Sequence, residues 1–542
     1  MTTTSFDWTA GYPSTRSPIF GRNIVSTSHP LAAQAGLRIL LKGGNAVDAA
    51  IATAAALTIV EPCSNGLGSD AFCILWDGHR LHGLNASGRA PAAWTPRYFR
   101  SRHGTDARHP PARGWDAVTV PGAVAGWVEL SDRFGRLPFA DLLDPAIEIA
   151  ERGYAVTAVV QQKWAAAARL QELVSQPGFE RCFLPYGRAP QVAELFRMPA
   201  AADALRSIAD TRGQSFYAGE IADCIARHAK AEGGALTRQD LANFRPEWVQ
   251  PIEKRYRGYA LHEMPPNGQG IAALMALGIL SHFDVGSAAP DSAESLHLQI
   301  EAMKLAFADA YRHVAEPDAM EVSTAQLLDE GYLHSRAKLI DPHKAQDFGA
   351  GNPVKGGTVY LTAADEAGMM VSFIQSNYLG FGSGVVVPEY GISLQNRGHG
   401  FSLVEGSPNL VAPGKRPFHT IIPAFLTQNG RPVMSFGVMG ANMQPQGHVQ
   451  AVVRMLDHHQ HPQAACDAPR WRFNQGLSLN VESTMAPGAV RTLAAMGHQI
   501  EPIRDSYLDF GAGQFIWRLG DPAAQGYVAA SDPRRDGQAV AY

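Results

Sequence analysis

The heptad Lys355-Gly356-Gly357-Thr358-Val359-Tyr360-Leu361 constrains this chain more than any other stretch. Two glycines run into a threonine, and an apolar, β-branched run follows. Locally this is a loop feeding a buried strand: Gly-Gly reaches backbone dihedrals closed to other residues, and the run after it suits a pleated surface. Two readings of Thr358 stay open at this level. In one it is an ordinary strand threonine after a turn. In the other its hydroxyl attacks the carbonyl of Gly357, converts the peptide bond to an ester, and hydrolysis frees the threonine amine. A residue released in this way holds nucleophile and base together, because an N-terminal amine activates its own hydroxyl.

Length alone would suggest about three or four domains. The composition argues instead for one globular body: 46% of the 542 residues are hydrophobic and 18% charged, with no low-complexity tract, which is ample for a large core. A net charge of −4 gives no reason to expect nucleic acid or a membrane surface as partner. Met1 to Gly21 is polar, and no apolar stretch reaches the roughly 18 residues of a membrane span. The five cysteines, Cys63, Cys73, Cys182, Cys224 and Cys466, are odd in number and lack CxxC spacing. They read as reduced packing residues, not a disulfide framework or a zinc site. The expectation is a cytoplasmic protein without a metal or organic cofactor.

In chain order, Ser28-His29-Pro30 opens a helix that Gly43-Gly44 stops. Asn45 and Asp48 stand where the next helix begins, and Ala49 to Val60 is apolar on nearly every side, as in a buried helix. Glu61 to Asp70 reads as a long turn region. Ala71–Trp76 and Arg80–Leu84 read as a hairpin around Asp77-Gly78. Further on, Met369–Gln375 alternates like a strand, Ser376 to Gly384 is a glycine-punctuated loop, and Gly437 to Asn442 is a turn after the strand Val433–Phe436, with a helix predicted after Gln446.

Several blocks together resemble the gamma-glutamyltransferase family: Ser28-His29-Pro30-Leu31-Ala32, Lys42 to Ala50, Val60-Glu61-Pro62, Val120 to Trp127, Leu236 to Leu241, Met264 to Gly270, Glu301 to Asp309, and Ser531 to Gly537. Each is modest, but their shared order over most of the chain is specific. The resemblance implies an α+β fold, the four-layer αββα sandwich of N-terminal-nucleophile hydrolases. It implies a precursor cut between Gly357 and Thr358 into a large subunit, residues 1–357, and a small one, residues 358–542. Both would contribute to one core and stay together as a heterodimer or as a dimer of heterodimers.

It also implies roles. Thr358 is the nucleophile; Ser376 takes the place of a second threonine whose hydroxyl contacts it; the N–H groups of Gly440 and Ala441 bind the oxyanion. The substrate region departs from the family pattern. Ser87 stands where an arginine grips the donor's α-carboxylate, and Arg89 follows two positions on. Gly400 replaces the acidic residue that grips the α-ammonium, Arg397 a neutral amide, and Tyr378 an asparagine, while His419 and Thr420 replace paired serines. An ammonium-bearing donor would then lie unpaired, at a cost of several kcal/mol. An anionic acyl group clamped by Arg89 or Arg397 fits better, with Tyr378, His419 and Thr420 lining the pocket. The resemblance therefore points to hydrolysis of a small anionic amide such as oxamate, giving oxalate and ammonia. Gamma-glutamyl hydrolysis or transfer and a cephalosporin-acylase-like amidase are the enzymatic alternatives, and an uncut, silent homologue is the non-enzymatic one.

Overall fold

The computed structural model describes residues 16–349, 357–503 and 510–542; Lys355, Gly356 and residues 1–15 of the polar N-terminus lie outside the described residues. Fourteen strands of two sheets, in chain order, are β1 (Ile19–Gly21), β2 (Ile24–Thr27), β3 (Asp70–Trp76), β4 (Leu81–Ala86), β5 (Glu247–Val249), β6 (Ile252–Tyr256), β7 (Tyr259–Glu263), β8 (Gly357–Ala364), β9 (Met370–Tyr378), β10 (Ala424–Gln428), β11 (Arg431–Met439), β12 (Ala512–Arg518), β13 (Tyr527–Ser531) and β14 (Gln538–Ala541). The first sheet runs β14-β2-β8-β9-β3-β4-β5 and the second β1-β13-β12-β11-β10-β7-β6. Each draws strands from both sides of Gly357, so neither half of the chain holds a complete sheet.

The sheets pack face to face over an apolar layer that includes Phe72, Ile74, Tyr360, Ile374, Phe425 and Ile516. Helices cover the outer faces. Against the first sheet lie α1 (Pro30–Leu41) and α2 (Ala46–Val60); against the second, α3 (Ile271–Leu280), α4 (Ala293–His313) and α5 (Met443–Leu456). The result is the αββα sandwich. Helix α2 starts on a capping box: Asp48 N–H donates to Asn45 Oδ1 and Asn45 N–H to Asp48 Oδ2, both at 3.0 Å. All its residues are buried, as its alanine-rich sequence predicts.

Two elements differ from expectation near the site. Every residue of β9 is buried, because the strand lies between a helix layer and a second sheet, and it runs on through Tyr378 where a loop is predicted. Helix α5 begins at Met443, ahead of the predicted start after Gln446. Pro445 is tolerated there because it sits in the first turn, where a missing N–H costs no helical hydrogen bond. The five cysteines are free thiols. Among the described residues, no helix is long and apolar enough to cross a membrane.

Candidate active site

Side chains alternate between the faces of a strand. Tyr360 of β8, Ile374 of β9, and Phe72 and Ile74 of β3 point into the layer between the sheets. By the same parity so do Thr358, Ser376 and Asp70, which sit at one end of that layer and form its polar rim. β8 and β9 pair from Val359↔Gln375 to Ala364↔Met370, but Gly357 faces Tyr378, so β9 carries an extra residue at this end. Such a bulge re-aims side chains. Here Thr358 Oγ1 donates to Ser376 Oγ at 3.3 Å, and Ser376 Oγ also accepts the N–H of Tyr378 at 2.8 Å. Ser376 is in turn paired with Asp70 across the β9–β3 ladder. Thr358 is 3% exposed.

The second sheet supplies the facing turn. β11 ends at Met439, and Gly440 (φ +125°) and Ala441 (φ +51°) turn the chain into α5. A Cβ on Gly440 would meet Gly511 Cα at 3.0 Å, so only glycine fits there. Among the described residues neither N–H has an acceptor, and both lie next to the positive end of α5. Gln269 Nε2 holds the turn by donating to the carbonyls of Ala441, at 3.0 Å, and Thr420, at 2.6 Å. Gln444 Oε1 accepts the N–H of Ile422 at 2.9 Å. The turn and the segment carrying His419 and Thr420 are thereby one unit.

Arg397 is buried at 1% exposure. Its Nη1 donates to Thr420 Oγ1 at 2.9 Å, and its guanidinium lies 4.7 Å from the centre of the Tyr378 ring. Nε and Nη2 are buried without a partner. Burial lowers its pKa to about 10, against the pull of Asp70 and Tyr378. Tyr378 itself sits at φ +77°, a strained value for a bulky residue and one that collects at functional sites. His419 is fully buried; desolvation, with Arg397 and Arg416, holds its pKa well below the usual imidazole value, so the ring is neutral. Its Nε2 lies 3.2 Å from Asp70 Oδ2.

Thr358, Ser376, Tyr378, Arg397, His419 and Thr420 thus form one connected cluster, with the Gly440–Ala441 turn tied to it through Gln269. Arg89, expected as a second clamp, is not among them and sits in ion pairs. Its Nη2 is 2.6 Å from Glu247 and its Nη1 2.8 Å from Glu316, and Arg416 shares Glu247 at 2.8 Å. Both terminal nitrogens of Arg89 are engaged by carboxylates in this structure. Asp70 and Gln269 are site residues that sequence reasoning missed. The available signal for Asp70 was an acid opening an otherwise apolar strand, and for Gln269 an amide within the Met264–Gly270 block.

Among the described residues, two clusters combine metal-ligand side chains, Cys224-His228-Glu389 and His297-Glu301-His498; neither includes a residue of the Thr358 cluster. In the second, Glu301 Oε1 is held by Lys304 Nζ at 2.6 Å and His297 Nε2 faces the Asp341 carbonyl at 2.8 Å.

An αββα sandwich with a threonine at the start of a central strand and a facing turn of free N–H groups is the architecture of N-terminal-nucleophile hydrolases. The chain superimposes on a cephalosporin acylase from Bacillus halodurans with a TM-score of 0.94 and 48% identity, covering 99% of both chains. Residues 32–542 match the family model described as gamma-glutamyltranspeptidase, and the chain belongs to that family. It is 38% identical over 527 residues to the oxamate amidohydrolase proenzyme of Klebsiella pneumoniae, covering 95% of this chain and 97% of the relative. It is 36% identical over 537 residues to a glutathione hydrolase-like proenzyme of Bacillus subtilis, covering 97% and 99%. The protein is an amidohydrolase of the N-terminal-threonine type, acting on the C–N bond of linear amides.

Proposed function

We propose that Thr358 is the nucleophile, exposed by autocatalytic cutting of the Gly357–Thr358 bond, and that the processed enzyme hydrolyses a small amide whose acyl group carries a carboxylate, oxamate being the first candidate. The two products, residues 1–357 and 358–542, stay together as a heterodimer because both sheets need strands of each. In the reaction, the α-amine of Thr358, with an ordinary pKa of about 7.7–8.0, takes the proton from Oγ1 as the oxygen attacks the amide carbonyl. The N–H groups of Gly440 and Ala441 hold the oxyanion; loss of one such donor costs about 10²–10³ in rate. The protonated amine passes its proton to the leaving nitrogen, ammonia departs, and water cleaves the acyl-enzyme by the same steps in reverse. The Ser376 hydroxyl holds Oγ1 in place, and Arg397, braced by Thr420, takes the carboxylate while Tyr378 and His419 wall the pocket.

The observation that carries this reading is Arg397: a buried guanidinium, two of its nitrogens unpartnered, in the same cluster as Thr358. A buried cation without a counter-ion is costly, and a substrate carboxylate relieves that cost in a planar, two-point contact. The names of the relatives support amide hydrolysis and a precursor form, and among them oxamate is the amide that is itself a minimal carboxylate.

The test is a denaturing intact-mass spectrum of wild type beside Thr358→Ala, followed by ammonia release from oxamate against release of p-nitroaniline from gamma-glutamyl-p-nitroanilide. Two wild-type fragments, the smaller beginning at Thr358, an uncut variant, and faster turnover of oxamate are expected. An uncut wild type after long incubation removes Thr358 as nucleophile; preference for the gamma-glutamyl compound removes oxamate.

A further inference from the structure

Asp70 takes no part in these steps, yet it is fully buried on the same rung as Ser376, whose hydroxyl meets that of Thr358. Its two oxygens have different surroundings. Oδ2 accepts the Gly88 N–H at 3.0 Å and lies 3.2 Å from His419 Nε2. His419 Nδ1 accepts the N–H of Ile421 at 3.4 Å, which assigns the single proton of the neutral ring to Nε2, pointing at Asp70. Oδ2 is therefore served by two donors. Oδ1 is buried with no partner. Nearby, Nε and Nη2 of Arg397 are also buried and unpartnered. The two groups feel each other electrostatically, but among the described residues no ion pair joins them. One carboxyl oxygen and two guanidinium nitrogens are thus buried within electrostatic reach of each other, all without a partner.

We propose that Asp70 is a specificity residue that binds a proton when a carboxylate-bearing, amine-free acyl group docks on Arg397, and donates that proton from Oδ1 to the docked carboxylate. This rests on the reading of Arg397 as the carboxylate clamp. The balance is simple: one proton from solvent joins Asp70 Oδ1, one O–H···O⁻ hydrogen bond forms to the ligand, and no other bond changes. Two neighbouring carboxylates cannot both ionise in a buried site. With Oδ2 already accepting two N–H groups, the proton is best placed on Oδ1. Burial raises the Asp70 pKa to about 7, opposed by Arg397, by the Gly88 N–H, by the nearby Gly122 N–H, whose own hydrogen bond at 3.0 Å goes to the Ser69 carbonyl, and by Arg416, so the proton is available near neutral pH. The titratable and charged groups facing Asp70 are Arg397, Arg416, His419 and Tyr217, joined after cutting by the α-amine of Thr358. An acyl group bearing an ammonium instead favours ionised Asp70. The protonation state of one residue therefore sorts acyl groups, and amine-free anions bind best below about pH 7.

The experiment titrates oxalate, the acyl anion itself, into processed protein by calorimetry at pH 6 and pH 8, in buffers of different protonation heat. Wild type is expected to bind about tenfold more tightly at pH 6 and to take up about one proton more per oxalate at pH 8 than Asp70→Asn does. The comparison with the variant subtracts the contribution of the Thr358 amine, and intact mass verifies that the variant is cut. Asp70→Ser is the second variant, should asparagine fold poorly. Equal proton uptake in wild type and variants, or no uptake by wild type, overturns the proposal while leaving Arg397 as the clamp. No oxalate binding by a correctly cut wild type overturns both. Tight binding abolished by Arg397→Gln, with uptake lost in the Asp70 variants, supports both.

Discussion

Arg397 and Arg89 are the same residue type, each a short distance in sequence from a site motif, yet the fold treats them in opposite ways. Arg89 is about one third exposed and lies between Glu247 and Glu316. Arg397 is inside the protein, its one hydrogen-bonded side-chain partner a neutral hydroxyl, its other contact the face of Tyr378. The first arrangement is what a surface ion-pair network looks like when it serves packing. The second leaves a charge desolvated and under-paired, which folding alone does not favour. A group whose cost is unrelieved inside the protein is where a ligand gains most. Removing the charge should therefore raise stability and cost activity at Arg397, and lower stability slightly while keeping activity at Arg89.

The largest effect falls on Arg397. Arg397→Gln should lower kcat/KM for oxamate by about 10²–10³, the loss typical of one partner of a buried, hydrogen-bonded charge pair. Processing should continue, since Arg397 does not touch Thr358. The same variant should melt at a higher temperature than wild type. Its charge is disfavoured on folding at every pH below about 10, where the lowered pKa lies, and removing it relieves a penalty on the order of 3 kcal/mol. Activity lost together with stability would mean that Arg397 is structural, and the contrast with Arg89 would collapse.

Asp70 sharpens the comparison, because it is the anionic counterpart of the same under-paired pocket. Its pKa is raised on folding to about 7, so the folded state prefers the protonated form. Below about pH 4 the unfolded chain is protonated as well, and the residue costs nothing. The cost grows as pH rises from there to about 7 and is constant above. Asp70→Asn should therefore match wild type in stability near pH 4 and exceed it at pH 8, by as much as about 4 kcal/mol. Melting curves at the two values decide it; a stability difference independent of pH would remove Asp70 as the titrating group.

A smaller effect is expected at Thr420, whose Oγ1 accepts from Arg397 Nη1 at 2.9 Å. Thr420→Val keeps the shape and removes the acceptor. KM for oxamate should rise about tenfold with little change in kcat, because the guanidinium is freed to rotate and its burial cost grows by about 1–3 kcal/mol. A change confined to kcat would instead tie Thr420 to the Gly440–Ala441 turn through Gln269.

How much of this was legible in the sequence follows from range and periodicity. The start of β8 was visible because Gly-Gly, a hydroxyl and a β-branched run are local signals. The capping box of α2 and the hairpin around Asp77-Gly78 were visible for the same reason. The sandwich was not. Strand β9 was legible as a strand over Met369–Gln375, but every residue of it is buried, so its pattern does not tell which face meets the helices and which the second sheet; the fold was legible only through family resemblance. Asp70 fell in what reads as the end of a turn. Its role comes from a register, Ser376↔Asp70, that joins distant parts of the chain and has no local trace. Arg89 and Arg397 were indistinguishable because the difference lies in Glu247 and Glu316, which pattern reading had no reason to place beside Arg89.

The smallest expected effect completes the comparison. Arg89→Ala removes a partly exposed cation from a network of Glu247, Glu316 and Arg416. Exposed pairs contribute about 0.2–1 kcal/mol each, so two of them set a loss of at most about 2 kcal/mol. Arg416 remains to neutralise Glu247, and its backbone contact, Nε to the Ser87 carbonyl at 3.1 Å, does not depend on Arg89. The variant should therefore melt slightly lower than wild type, be cut normally, and turn over oxamate within about threefold. Against Arg397→Gln, stability moves the opposite way and activity is kept instead of lost. Raised salt should shrink the melting difference further, since these charges reach solvent. A loss of activity at Arg89 comparable to that at Arg397, with stability unchanged, would show that the glutamates release it on substrate binding, and the division between a structural and a binding arginine would have to be withdrawn.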